Sequence, residues 1–258
     1  MWFKAALPGV AHDVAVTTTL SRLRPDLVLA PLAVDLERAW MLLPVGGERL
    51  RELLDRQHHP RPWYDLLPAY ADLQLVAVPD VDSLVAAGVP DLRLAEIPAA
   101  SKRLATVFEE PAPDAAAVAQ LCSRLASFGI PETIQHDDLH DGNIFVREDG
   151  YRIFDWGDSA VMHPFASLVV AFGGIEHRFG LAANDPDIER LLDLYLERFG
   201  AYGSADELRE AAALARPLGM LSRADAWWRV ASLLDDPGEM SEHGREWFCD
   251  FAAAVSPS

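Results

Sequence analysis

The chain has 258 residues, 50% hydrophobic and 24% charged, an ordinary globular composition long enough for one domain or two lobes. Forty Asp and Glu against 22 Lys and Arg give a formal net charge of −18, which repels phosphate backbones and anionic lipid heads and so excludes nucleic acid and membranes as expected partners. No apolar run reaches a membrane span, no signal-peptide pattern opens the chain, and two cysteines (Cys122 and Cys249) are too few for a disulfide framework, so the expected setting is cytoplasmic with reduced thiols.

In chain order, Trp2-Phe3-Lys4-Ala5 reads as the end of a strand and Val10–Leu23 as a helix, although the β-branched run Val14–Thr19 weakens it. Leu27–Val34 and Trp40–Val45 read as a strand pair, and Pro44-Val45-Gly46-Gly47 as a hinge. The chain then turns helical. Trp63, Leu66, Leu67, Tyr70, Leu73, Gln74 and Ala77 recur at helical spacing before Pro79, and shorter pieces at Val81–Ala87 and Ala99–Val107 are set apart by Pro90 and Pro98. Asp114 caps a helix with the stripe Val118, Leu121, Cys122, Leu125 and Phe128, which Gly129 and Pro131 end.

Gln135–Asp158 is the stretch the rest serves. Ile144-Phe145-Val146 and Tyr151–Phe154 are strand-like, with Glu148-Asp149-Gly150 as the turn between them. Counting outward from that turn, with Val146 or Arg147 near Tyr151, places Asn143 roughly opposite Asp155, with Asp138 folded back over the same end through Gly142. Beyond the hairpin, Ser167–Phe172 reads as a buried helix, and Asp185-Pro186 opens a helix bearing Ile188, Leu191, Leu192, Tyr195 and Phe199. Ser204–Glu207 caps another helix, a further one spans Arg216–Leu234, and a short one surrounds Trp247-Phe248.

An amide oxygen and a carboxylate facing each other suit a hard cation, and magnesium needs few protein oxygens when phosphates supply the rest. A third, unligated carboxylate suits the proton of an attacking hydroxyl. The predicted chemistry is therefore phosphoryl transfer: Asp138 as base, Asn143 and Asp155 as metal ligands, with Mg2+ and ATP. The two histidines four apart, His136 and His140, also leave open a zinc hydrolase, although Gly142 argues against the helix that pairing needs.

His136-x-Asp138-x-x-x-x-Asn143 followed by Asp155-Trp156 resembles the aminoglycoside phosphotransferase family of small-molecule kinases, whose loop reads His-Gly-Asp-Leu-His-x-Gly-Asn. This chain departs from it with Asp137 in place of Gly. The resemblance implies an α+β, protein-kinase-like bilobal fold: residues 1–47 as a partial nucleotide-binding β lobe, residues 48–258 as a large helical lobe with the catalytic loop and substrate site. It implies Lys4 and Asp13 as the phosphate-pairing lysine and its acid, the backbone near Met41 and Leu43 as the adenine contact, and His136 and His140 as loop-orienting residues. Only three residues precede Lys4, where the family has two strands and a glycine-rich turn. Either the given sequence omits that roof or the protein does without it. In the second case a degenerate relative that binds a nucleotide or ligand without turnover is the alternative.

The acceptor is expected to be a small hydroxylated molecule. The acidic surface suits a cationic one, or merely keeps the protein in solution. Asp158, Asp225, Trp227 and Trp228 are the candidate contacts, the aromatic pair offering a face to a cation and equally explained as core.

Overall fold

The computed structural model describes residues 1–256. A small antiparallel sheet opens the chain, with β3 (Trp40–Leu43) between β1 (Trp2–Ala5) and β2 (Ala33–Asp35). Helix α1 (Asp13–Leu23) intervenes. Its β-branched run is helical against propensity because Val14, Val16 and Leu20 are buried, and Thr18 turns its hydroxyl back onto the Val14 carbonyl at 2.6 Å. The strand expected over Leu27–Val34 splits at Pro31. Leu27 and Leu29 bond the backbone of Ile153 instead, and only Ala33–Asp35 joins the small sheet.

After Pro44, β4 (Glu48–Arg49) pairs with β6 (Ile144–Arg147), which pairs with β7 (Gly150–Ile153). Helices α2 (Leu50–Gln57), α3 (Arg61–Ala77) and α4 (Val81–Ala86) follow. In α5 (Ile97–Val107), Pro98 lies inside the first turn, where its missing N–H costs nothing, rather than before the helix. Asp114 caps α6 (Ala115–Ser127), accepting the Ala116 N–H at 3.1 Å. Two short strands absent from the sequence reading, β5 (Thr133–Gln135) and β8 (Ala160–Met162), pair on either side of the hairpin. Both are fully buried, so they show no alternation to read.

The C-terminal half is α7 (Leu168–Phe179), α8 (Pro186–Leu196), α9 (Ala205–Ala231) and α10 (Gly238–Val255). The two helices expected on either side of Arg216 are one: α9 runs through Pro217 without a break. Likewise the short helix around Trp247 is the middle of α10, whose Phe248 and Phe251 are buried in the main core with α9. That core also takes Val16, Leu20, Leu27 and Val28 from the first lobe. A second, smaller core joins Val14, Leu29, Met41 and Leu43 to Phe145 and Phe154 of the hairpin. The small sheet is thus docked directly onto the β6–β7 hairpin. No helix among the described residues is long and apolar enough to cross a membrane, and both cysteines are free.

Candidate active site

The loop between β5 and β6 is fastened from beneath by His136. Its backbone N–H donates to Tyr70 Oη at 2.8 Å, its Nε2 donates to the Phe154 carbonyl at 3.0 Å, and its Nδ1 accepts the Asp138 N–H at 3.3 Å. Burial holds its pKa below the ordinary value, so the ring is neutral. The Trp156 ring packs on it, centroids 4.5 Å apart. With both nitrogens engaged His136 has none left for a metal, and among the described residues no three His, Cys, Asp or Glu side chains are grouped to hold one. The zinc reading is thereby set aside.

Asn143 turns its amide nitrogen to Asp138, donating to Oδ2 at 2.8 Å and to the backbone oxygen at 3.0 Å. Of the two registers open from sequence, Val146 faces Tyr151, so the partner of Asn143 across the hairpin is Phe154, whose N–H bonds the Asn143 carbonyl at 3.1 Å, and Asp155 lies one residue beyond. Gly150 is not part of the turn; at φ +121° it is the first residue of β7 and pairs with Arg147, leaving a two-residue turn. Asp155 follows in the left-handed region at φ +66° and turns its carboxylate out of the strand. Gly142 is needed for a different reason than turning: a Cβ there would meet Arg51 Nη2 and the His140 ring at 2.6 Å.

Lys4 reaches the hairpin from β1. Its Nζ lies 2.5 Å from Asp13 Oδ2 and 2.6 Å from Asp155 Oδ1. Asp13 is wholly buried, and its other oxygen accepts the Trp156 N–H at 3.0 Å and the Thr17 hydroxyl at 3.1 Å. Burial alone would lower the Lys4 pKa; the charges of Asp13 and Asp155 outweigh it, and the net shift is upward. Met41 and Leu43 are placed otherwise than expected. Their side chains fill the small core, and Met41 is paired to Lys4 on one edge and Val34 on the other. Met41 is therefore paired on both edges, whereas Leu43 has only Trp2 as a strand partner.

Around Asp138 the electrostatics are strong. Burial would raise its pKa, but His140, 3.3 Å away, and Arg223, 3.5 Å away, bring it down to about 2. Hydrogen bonds to Asp138 and Asp141 push His140 up to about 9 against its own burial. Asp137, where the phosphotransferase pattern has glycine, sits at φ +64° and is fully buried, with Oδ2 unpartnered; burial lifts it to about 7. The left-handed backbone is the physical reason for glycine there, and Asp137 bears a strain of roughly 1 kcal/mol in its place.

The residues nominated for a cationic acceptor divide. Asp158 and Arg223 are bonded at 2.8 Å. Asp225 is buried between Arg103 at 2.7 Å and Arg229 at 3.1 Å, so its charge is spent inside the protein. Trp228 packs edge-on against Phe108 in the core. Trp227 takes Arg223 over its ring at 5.6 Å, one layer behind the site. An open cleft of about 620 Å3 lies beside them, between the loop before β6 and helices α2, α7, α9 and α10. Arg51, His140, Asp141, Arg178, Arg223 and Trp247 line it. Apart from His140, sequence reasoning missed these as site residues: an arginine on a helix surface carries no signal until the helix is placed.

Residues 8–214 match the model of the phosphotransferase enzyme family. A search of curated proteins finds no match. Among solved structures, the ethanolamine kinase of Plasmodium vivax superposes with a TM-score of 0.62 at 10% identity, covering 96% of this chain and 74% of the kinase. The choline kinase LicA of Streptococcus pneumoniae gives 0.61 at 15%, covering 97% and 85%. The macrolide 2'-phosphotransferase MphH of Brachybacterium faecium gives 0.52 at 17%, covering 96% and 81%. At these identities the likeness is one of fold: a small sheet lobe on a large helical lobe.

Proposed function

The chain belongs to the phosphotransferase enzyme family, and from that premise we propose that it transfers the γ-phosphoryl group of ATP to a hydroxyl of a small molecule. Residues 1–47 serve the nucleotide side; residues 48–258 carry the catalytic loop and the acceptor cleft. The observation that carries this reading is a convergence: Lys4 from the first strand meets Asp155 at 2.6 Å, beside an Asp138–Asn143 pair at 2.8 Å.

The residues fit magnesium. Asp155 is 47% exposed, and the Asn143 amide nitrogen faces Asp138, which leaves its oxygen for a cation. Bound there with the nucleotide, magnesium would neutralise charge on the phosphates. Lys4, charged at every physiological pH, adds a cation for them.

In the transfer, the acceptor oxygen bonds the γ-phosphorus, the bond from that phosphorus to the bridging oxygen breaks, and ADP leaves. The acceptor proton passes to Asp138. A carboxylate held at about 2 is a poor base for a free alcohol; Asp138 therefore first aligns the hydroxyl and receives its proton late, once bonding to phosphorus has acidified it. Arg223, which touches Asp138, Asp158 and the Asp137 carbonyl, fixes the loop for that alignment.

The test is ATP turnover with magnesium and a panel of hydroxylated acceptors, wild type against Asp138→Asn. Acceptor-dependent ADP release that the variant loses supports the reading. No transfer to any acceptor, with magnesium-ATP still raising the melting temperature in the wild type and not in Asp155→Ala, would leave a nucleotide binder without catalysis.

A further inference from the structure

The side chains lining the cleft beside the proposed catalytic loop are mostly basic, in a protein that is acidic as a whole, although Asp55, Asp138 and Asp158 pair with them from its edge. Its lining holds Arg51, Arg178, Arg223, His140 and His177 against one acid, Asp141. That single carboxylate serves two guanidinium groups: Arg51 Nε reaches Oδ1 at 3.3 Å and Arg178 Nε holds Oδ2. Arg178 Nη1 also pairs with Asp55 at 2.7 Å, an exposed residue at the rim. The other neighbour of Arg51 is His140 Nδ1 at 3.5 Å, which brings no negative charge. Arg51 Nη1 and Arg178 Nη2 make no hydrogen bond among the described residues. Arg51 is 48% exposed, so its free donors face solvent in the cleft.

The acids that a cationic acceptor would need are occupied. Arg223 takes Asp158, and Arg103 with Arg229 takes Asp225. An ammonium group entering along α2 and α7 meets guanidinium groups there, and Asp141, the one acid lining that wall, is already held by both. An oxyanion meets two planar donors already aimed along one wall.

We propose that the acceptor carries an oxyanionic group, a carboxylate or phosphate, which docks between Arg51 and Arg178 while its hydroxyl lies at Asp138. This deepens the phosphotransferase reading and rests on it for the reaction, though not for the binding. The net charge of −18 does not oppose it at physiological salt, where charges beyond roughly 8 Å are screened.

Four probes sharing a small hydroxylated frame test the assignment: glycerol, D-glycerate, glycerol 2-phosphate and choline. Each is titrated calorimetrically into the full chain and assayed as acceptor with magnesium-ATP. D-glycerate or glycerol 2-phosphate, which separate carboxylate from phosphate, is expected to bind at least about tenfold more tightly than glycerol, with choline weakest. Arg51→Gln and Arg178→Gln each weaken the anion about tenfold, and Arg51→Lys keeps affinity within a few-fold. Arg51→Gln leaves Asp141 paired with Arg178, so it tests the site without unfolding it. Choline binding best, no probe binding, or anion affinity in both Gln variants unchanged from the wild type overturns the proposal. Arginine-dependent anion binding without transfer to any probe sustains the cleft assignment and counts against the phosphotransferase reading instead. Transfer to choline, with a KM indifferent to both arginines, does the reverse.

Discussion

The catalytic hairpin and the cleft facing it are built from the same two residue types and use them oppositely. On the hairpin, Asp138 is held by an amide, a histidine and the edge of an arginine, and Asp155 keeps one oxygen beyond its lysine; both stay partly open. Around the cleft and behind it, Asp141, Asp158 and Asp225 are each claimed by guanidinium groups, and the donors left free in the cleft are on Arg51 and Arg178. An acid available to substrate is one whose partners leave a lone pair and a path from solvent. Residue type alone does not say which acids those are.

The sharpest break in that contrast is Asp138→Asn, which keeps the amide contacts and removes the charge. Its kcat should fall about 10²–10⁴-fold with the melting temperature nearly unchanged, as stopped-time ADP assays and calorimetry will show. A fall of only a few-fold would move the alignment role elsewhere.

Arg223→Gln tests whether the opposed halves are coupled. As the proposed base Asp138 has to be ionised, and its folded pKa of about 2 is depressed by His140 and Arg223. Removing the arginine raises that pKa, so the acid limb of kcat/KM should move upward by about one pH unit. The same sign governs stability: what ionised Asp138 contributes is present above its unfolded pKa and is lost as pH falls through the folded one. An unmoved limb would mean that Arg223 only braces Asp158.

Asp225→Asn probes the spent acids. Two arginines lose their counter-charge, and stability should drop by about 2 kcal/mol in urea melts, while acceptor KM changes no more than about twofold. A large KM effect would restore Asp225 to the substrate site.

The smallest expected effect is a gain. Asp137→Gly relieves the positive φ at residue 137 and is worth about 1 kcal/mol. It should stabilise more at pH 8 than at pH 5. A buried acid whose pKa is raised to about 7 is tolerated while protonated and costs most once pH exceeds that value. An equal gain at both pH values would show that backbone strain, not the buried carboxyl, dominates.

The sequence was most legible where spacing is local. The hairpin, the α3 and α6 stripes and the caps at Asp114 and Ser204 follow from periodicity and turn chemistry, which act over a few residues. It failed where competition is settled at a distance. Pro217 looks like a stop until α9 is packed against its neighbours, and Gly150 looks like turn rather than strand until Arg147 is its partner.

By itself the sequence nominated the residues proposed to carry chemistry at the hairpin: His136, Asp138, Asn143 and Asp155 lie within one loop and its flanking strands, so their order constrains their geometry to within a residue. Only the tertiary structure decided the rest. It brought Lys4 across 151 positions to Asp155 and set Arg51 on α2 beside Arg178 on α7. It also withdrew Asp225 into the interior. The physical reason is that a charge acquires its role from what neutralises it, and for these side chains the neutralising partner lies on a different element.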